Sequence, residues 1–249
     1  MERRQLRADA VVAVSEHVAA TARAQDVDLG DRLQVIPTGV NFERFDPASV
    51  RVDRVIRLAS ELRVPDGSSV VLCPGRFDQD RGQKLLIDAI KRLGRNDVFC
   101  LLLGSTGMPT AFERELEQTI ERAKLHGRVQ IGPYVDDMPA AYRLADVVVA
   151  TGGATQGISR PLIEAQAMGR PVVAESAGGA AESVLVGTTG WLATPGDPAS
   201  LAEALTSALS LSLDRRSELA QVARDHARAR YDLADANSRL LQLYGRILG

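Results

Sequence analysis

Aromatic side chains are scarce in this 249-residue chain: five Phe, four Tyr and one Trp, 4% of the total. So thin a supply argues against a base-stacking platform for single-stranded nucleic acid, which needs exposed rings in series. An excess of either charge is also missing, since 30 Lys and Arg stand against 32 Asp and Glu for a formal net charge of −2. No global basic field draws in nucleic acid, so any phosphate must be held by local groups. Cysteine is limited to Cys73 and Cys100, each inside an apolar run and with no CxxC spacing. That excludes a disulfide framework or a thiolate metal site and leaves two buried thiols in neighbouring strands, as expected of a reducing cytoplasm. The three histidines, His17, His126 and His226, are scattered without ligand spacing and read as surface or capping residues. No G-x-x-x-x-G-K-[ST] occurs, which excludes a P-loop. No segment approaches the ~20 apolar residues of a membrane span. The run Ala10–Val14 behind Met1-Glu2-Arg3-Arg4 is shorter than the roughly 7–15 residues of a signal-peptide core. A soluble cytoplasmic protein is expected, with at most peripheral contact to the inner face of a membrane. Internal repeats and low-complexity tracts are absent.

What the chain does have is an alternation of short apolar runs with helical periodicity. Apolar runs at Ser69–Cys73, Val98–Leu103, Val129–Ile131, Val147–Ala150, Pro171–Ala174 and Trp191–Ala193 read as strands. Between them, Gln83–Leu93 places Leu86, Ile90 and Leu93 on one helical face, and Thr110–Leu125 does the same with Phe112, Leu116, Ile120 and Ala123. Shorter helices are expected near Pro139–Leu144 and Ala180–Val186. Strands apolar on both faces and separated by helices mean an α/β fold, a doubly wound parallel Rossmann-like sheet covered on both sides. Residues 1–34 supply only a strand (Ala10–Val14), a helix (about Glu16–Gln25) and the approach to Leu33–Pro37. One strand–helix unit cannot bury its own faces and is expected to complete another sheet. From Ala199 onward the chain reads as almost entirely helical.

The stretch Gln156-Gly157-Ile158-Ser159-Arg160-Pro161-Leu162-Ile163-Glu164 carries the most chemistry. A small-residue turn opens a helix there, and a helix start points unpaired backbone N–H groups at whatever lies over the turn, which suits an anion. Ser159 reads as the helix N-cap, since G-x-S-x-G is incomplete and no histidine is near in sequence. A second candidate is the loop Pro74-Gly75-Arg76-Phe77-Asp78-Gln79-Asp80-Arg81-Gly82-Gln83-Lys84, where a parallel strand gives way to a helix. It carries Arg76, Arg81 and Lys84, and arginine's planar fork suits phosphate; a solvated charged turn is the alternative. Asp78-Gln79-Asp80 and Asp26-Val27-Asp28 are DxD triplets, but hard cations need further oxygen ligands and no metal is assigned to either. Ser176-Ala177-Gly178-Gly179 and Gly104-Ser105-Thr106-Gly107 are glycine-bearing loops that allow close backbone approach.

Taken together these stretches resemble the C-terminal half of family-4 glycosyltransferases, whose GT-B fold is two facing Rossmann-like domains. Val35-Ile36-Pro37-Thr38-Gly39-Val40-Asn41-Phe42-Glu43-Arg44-Phe45 is similar to that family's entry into the nucleotide-binding domain. Gly75-Arg76 with Arg81-Gly82 resembles its diphosphate loop, and Val129-Gln130-Ile131-Gly132-Pro133-Tyr134-Val135 its base-binding turn. Gln156 to Glu164 occupies its E-x7-E motif, and Gly190-Trp191-Leu192 with Pro195-Gly196-Asp197 its closing segment. The resemblance implies a retaining, metal-independent hexosyltransferase that needs no cofactor and takes a nucleoside-diphosphate sugar as donor, in cell-surface polysaccharide or glycolipid synthesis. It implies that Gly75, Arg76 and Arg81 hold the diphosphate, Gly157, Ile158, Ser159 and Arg160 meet the donor sugar or phosphate, Glu164 binds the ribose, and Tyr134 and Val135 border the base. Arg76, Arg81 and Gln156 would be the catalytic set.

Two departures qualify this expectation. The family's first glutamate is Gln156 here, an amide that bonds sugar hydroxyls but brings no charge to an oxocarbenium-like centre. Length is the other: residues 1–34 would be a remnant of the acceptor domain, 35–225 the nucleotide-sugar domain and 226–249 a C-terminal helix crossing back towards the N-terminal domain. The acceptor, a sugar or lipid-linked sugar, would then be bound by an N-terminal half supplied elsewhere, for instance by a partner chain, and this chain alone would bind donor and transfer little. A non-catalytic sugar-nucleotide module and a metal-dependent transferase using Asp78 and Asp80 are the competing readings.

Overall fold

The computed structural model of the chain describes residues 8–25, 29–152 and 157–248. Its centre is a six-stranded sheet of β3 (Ser69–Pro74), β4 (Val98–Ser105), β5 (Val129–Pro133), β6 (Val147–Ala150), β7 (Val172–Glu175) and β8 (Gly190–Ala193). The spatial order is β5-β4-β3-β6-β7-β8 and every pairing is parallel. The chain therefore winds outward from β3 in one direction, returns, and winds outward from β6 in the other. The expected doubly wound sheet is observed, with its switch point between β3 and β6, where open α/β sheets part to form a crevice.

The strand faces explain why the apolar runs were continuous. Leu72, Phe99, Leu101, Leu103, Val148, Val172 and Ala174 point to one side, where they meet α2 (Val52–Glu61), α5 (Met138–Leu144), α6 (Arg160–Ala167) and α9 (Leu213–Tyr231). Val71, Cys73, Cys100, Leu102, Val147, Val149 and Val173 point to the other, under α3 (Gln83–Leu93), α4 (Ala111–Ala123) and α8 (Pro198–Leu209). Burial on both faces leaves no polar alternation to read along a strand. Cys73 and Cys100 lie on neighbouring strands and are buried. Burial pushes the Cys73 thiol up to about 12 and Cys100 well above the usual thiol range, so neither serves as a thiolate.

Helix starts follow local chemistry. Thr110 and Glu113 form a reciprocal capping box at α4, and Asp137 and Asp197 cap α5 and α8. Helix α2 has no counterpart among the expected elements. It packs Val55, Leu58 and Leu62 against the core beside α5, and Arg54 grips Asp137 through two bonds of 2.9 and 2.6 Å. The helix expected near Ala180–Val186 is instead α7 (Gly178–Glu182), followed by a turn in which Leu185 N–H donates to Thr189 Oγ1.

A small unit precedes the sheet: β1 (Val11–Ala13), α1 (Glu16–Arg23) and β2 (Leu33–Val35), with β1 and β2 paired parallel to each other. It is bolted to the larger domain at α7, where the Glu182 carboxylate accepts the first N–H groups of α1, from Glu16 at 2.9 Å and His17 at 2.6 Å. The last helix, α10 (Leu233–Leu248), bends away from α9 at Asp232 and lays Ala236 and Leu243 on Ile36 beside β2. At the bend Val40 N–H donates to Tyr231 O and Leu233 N–H to Val40 O, so the incoming and outgoing chain segments are stitched together.

Candidate functional site

At the C-terminal ends of β3 and β4, beside the switch point, lies a cleft of about 580 Å³. Pro74, Gly75 and Arg76 form one wall, Tyr134, Val135 and Met138 another, and Arg160, Pro161 and Glu164 at the start of α6 a third. A narrower recess opens beside it, lined by Arg81, Thr151, Ser159 and Glu175. Of the sequence-predicted residues, Gly75, Arg76, Tyr134, Val135, Arg160 and Glu164 share the main cleft, and Arg81 and Ser159 the recess. Gly157 and Ile158 do not line either. Gly157 is wedged against the small N-terminal unit, where a Cβ would come within 2.6 Å of Val14, and Ile158 packs on the core. Gln156 and the Asp26–Asp28 triplet lie outside the described residues.

Close backbone approach shapes the floor. A Cβ on Gly104 would stand 2.0 Å from the Gly75 carbonyl oxygen, so the loops after β3 and β4 touch only because position 104 has no side chain. Gly82, in the left-handed region at φ 66°, lets the Arg81 turn press onto Thr151, whose hydroxyl donates to Arg81 O at 2.9 Å. Glu175, a buried carboxylate at the end of β7, accepts from Gly152 N–H and, at 2.7 Å, from Gly196 N–H. The loops after β3, β6, β7 and β8 are thereby tied together around the recess.

The electrostatics divide the cleft. Arg76 holds Asp78 through Nε at 2.9 Å and Nη2 at 2.8 Å, Arg81 Nε stands 3.9 Å from the same carboxylate, and Asp78 also accepts from Asp80 N–H at 3.1 Å. Asp78 is thus committed to the arginines and its own turn. Among the described residues no group of three or more His, Cys, Asp or Glu is placed to hold a metal ion. Ser159 occupies the N-cap position of α6 in extended conformation and lines the recess, but the expected side-chain capping bond is not formed.

Glu164 lies inside the first turns of α6 and is buried. Tyr142 Oη, fully enclosed on α5, donates to Glu164 Oε2 at 2.7 Å, and Arg160 Nη2 stands 3.4 Å from Oε1. Burial raises the Glu164 carboxyl above the usual carboxylate range, against the pull of Tyr142, Arg160 and Arg44. The Tyr142 phenol is pushed well up by burial and by the adjacent carboxylate.

Arg44, Phe45, Tyr142 and Glu175 were not singled out from the sequence. Arg44 and Phe45 line the main cleft from the β2–α2 loop. Their one sequence signal was membership of the Val35–Phe45 stretch. His226 also departs from the surface role expected of it: it is half-buried, edge-on to Tyr231 with ring centroids 6.3 Å apart, and its Nε2 is buried without a hydrogen-bond partner. Burial accordingly lowers its pKa.

The glycosyl transferases group 1 family model matches residues 68–210, which span the sheet from β3 through α8. The chain belongs to this family. The D-inositol 3-phosphate glycosyltransferase of Xylanimonas cellulosilytica is 34% identical over 247 residues, covering 95% of this chain and 58% of the relative. A GDP-mannose-dependent monoacylated alpha-(1-6)-phosphatidylinositol monomannoside mannosyltransferase of Corynebacterium glutamicum is 28% identical over 212 residues, covering 84% of this chain and 55% of the relative. Among solved structures, a glycosyltransferase from Rickettsia africae superposes with a TM-score of 0.91 at 27% identity, over 96% of this chain and 64% of its own. Anabaena HepE in complex with UDP-glucose superposes at 0.86 with 28% identity, over 96% and 64%. The group 1 domain here thus has the doubly wound architecture of GT-B glycosyltransferases, and the chain spans less than two thirds of the length of these relatives.

Proposed function

We propose that this chain is the donor-binding half of a retaining glycosyltransferase that takes a hexose from a nucleoside diphosphate. The observation that carries the reading is the polarity of one cleft. Arg76 lines the cleft at the switch point with Arg81 in the recess beside it, and the α6 wall presents Arg160 and a buried carboxylate, Glu164, 3.4 Å apart. Diphosphate fits among the guanidiniums and the start of α6, and ribose hydroxyls fit Glu164, which accepts but in its ionised form cannot donate. As the glycosidic bond to the diphosphate breaks, negative charge grows on the leaving oxygens, and fixed cations that need no reorganisation favour that state. Arg76 and Arg81 take that role; Gln156 would bond hydroxyls of the transferring sugar. The acceptor, a sugar or lipid-linked sugar of the cell surface, would be bound by the portion of the relatives' length that this chain does not span, whether on the same polypeptide or a partner. A cytoplasmic enzyme working at the membrane face suits such an acceptor.

A non-catalytic donor-binding module is the second reading, favoured by an amide at position 156 where the family motif has its first glutamate. Calorimetric titration with UDP-, GDP- and ADP-sugars tests the shared part of both. One nucleotide series should bind saturably, with affinity unchanged by a chelator because arginines neutralise the diphosphate. Absence of saturable binding to every series sinks the proposal, and chelator-sensitive affinity transfers the charge role to a metal at Asp78 and Asp80. Supplying an N-terminal half then separates the two readings: transfer supports the enzyme, binding without turnover the module.

A further inference from the structure

Arg44 lies on the wall of the cleft formed with Tyr134, Val135 and Met138, although it comes from the β2–α2 loop and sits some ninety residues earlier in the chain. Its guanidinium carbon stands 5.4 Å over the centroid of the Phe45 ring. Nη2 donates to the Asp136 carbonyl at 3.1 Å, in the loop that follows Tyr134 and Val135. Phe45 beneath it is almost wholly enclosed and meets Tyr142 edge-on, ring centroids 5.9 Å apart, and Tyr142 in turn holds Glu164. The result is a layered wall: guanidinium on Phe, Phe on Tyr, Tyr hydroxyl on carboxylate.

Arg44 is exposed, but an aromatic ring backs its planar cation and one amino group is held by a carbonyl, which limits its orientations. Its planar face suits a π-system, and its remaining N–H donors suit ring carbonyl or ring nitrogen acceptors. We infer that Arg44 is the platform on which the base of the nucleoside diphosphate stacks, held in plane by Phe45 and the Asp136 carbonyl. This rests on the reading of the cleft as a sugar-nucleotide site and adds to it a binding residue for the base. Arg44 acts on ground-state recognition; it does not reach the reacting bond.

Affinity of the full chain for its best nucleoside diphosphate, measured by calorimetry, and displacement of that ligand by inorganic pyrophosphate test the assignment. Arg44→Ala should weaken the nucleoside diphosphate about tenfold, within the range of cation–π contacts. Arg44→Lys, which keeps the charge and can still reach a carbonyl but has no plane, should lose nearly as much. The affinity of pyrophosphate should stay within about twofold of wild type in both, since it has no base to stack. Rescue by lysine overturns the inference, because charge or loop anchoring then suffices. An equal loss for pyrophosphate also overturns it, because the effect then lies at the phosphate end. Wild-type binding with Arg44→Ala unaffected sinks this inference alone. A wild type that binds no nucleoside diphosphate sinks the site reading and this with it.

Discussion

Arg76→Ala lowers donor affinity by roughly ten- to a hundredfold, the equivalent of the ~1.5–3 kcal/mol of a hydrogen bond to a charged group. Asp78→Ala leaves affinity within about threefold of wild type, because a surface ion pair contributes only ~0–1 kcal/mol. The contrast follows from the geometry of the pair. Arg76 grips Asp78 at 2.9 and 2.8 Å, yet its side chain is 77% exposed and that of Asp78 31%. A diphosphate carries more charge than one carboxylate, offers several oxygens to the same planar fork, and is supported by Arg81 and the start of α6. It is therefore expected to displace Asp78 from Arg76. Removing Asp78 frees the guanidinium before the ligand arrives, which favours binding, and loosens the turn at Asp80 N–H, which opposes it; the two offset. Titration of both variants with the same donor decides the matter. Equal losses would mean that Arg76 serves the loop rather than the ligand.

Much of the fold was legible because the central strands are buried on both faces: each appears as an unbroken apolar run, and the intervening helices carry a clear single stripe. The six expected runs fall on β3 to β8, and the expected α3 has the observed bounds of Gln83–Leu93. Helix α2 is the exception: Val52, Val55, Ile56, Ala59 and Leu62 recur at helical spacing, so its signal was present in the sequence although no element was expected there. The proposed phosphate residues were legible for a local reason, since Arg76 and Arg81 sit in one loop at the end of one strand. Glu164, Tyr134 and Val135 came from the family resemblance. Arg44 and Tyr142 had no such signal: they come from the β2–α2 loop and α5, and only the tertiary fold brings them beside Glu164. Glu175 is the same case in stronger form. As the last residue of a buried strand it reads as a polar terminator, and the two loop N–H groups it satisfies lie 23 and 21 residues away. Gly157 shows the converse. Ser159, two residues on, lines the recess, but Gly157 itself is turned onto Val14.

Glu164 and Tyr142 give the other large effect, in the form of a pH dependence. On the proposed ribose role, ionised Glu164 would accept bonds from ribose hydroxyls, and protonated it would give up acceptor capacity. Its folded-state pKa is raised, with burial as the main cause, so donor affinity should be full above that pKa and fall as pH drops through it, at values above the ordinary 4.5. Stability carries the opposite sign. A carboxyl with a raised folded pKa costs stability when ionised, and that cost fades as pH falls. Glu164→Gln removes the charge while keeping an oxygen for the Tyr142 hydroxyl, so the fold should be at least as stable at neutral pH. Donor affinity should nevertheless fall about tenfold or more, and its acid limb should vanish, because bonds to a charged acceptor are worth ~1.5–3 kcal/mol. Tyr142→Phe removes the hydroxyl that donates to Oε2 and leaves a buried oxygen short of a partner at a cost of ~1–3 kcal/mol, visible as a lower Tm. That hydroxyl favours the carboxylate form, so its loss raises the Glu164 pKa further and moves the acid limb of donor binding to higher pH, with affinity recovering at alkaline pH. A purely structural role for Tyr142 would lower Tm and leave the limb in place. Donor titrations of wild type, Glu164→Gln and Tyr142→Phe across the pH range separate the two. An acid limb that survives in Glu164→Gln would show that another group titrates, and the ribose assignment would fall with it.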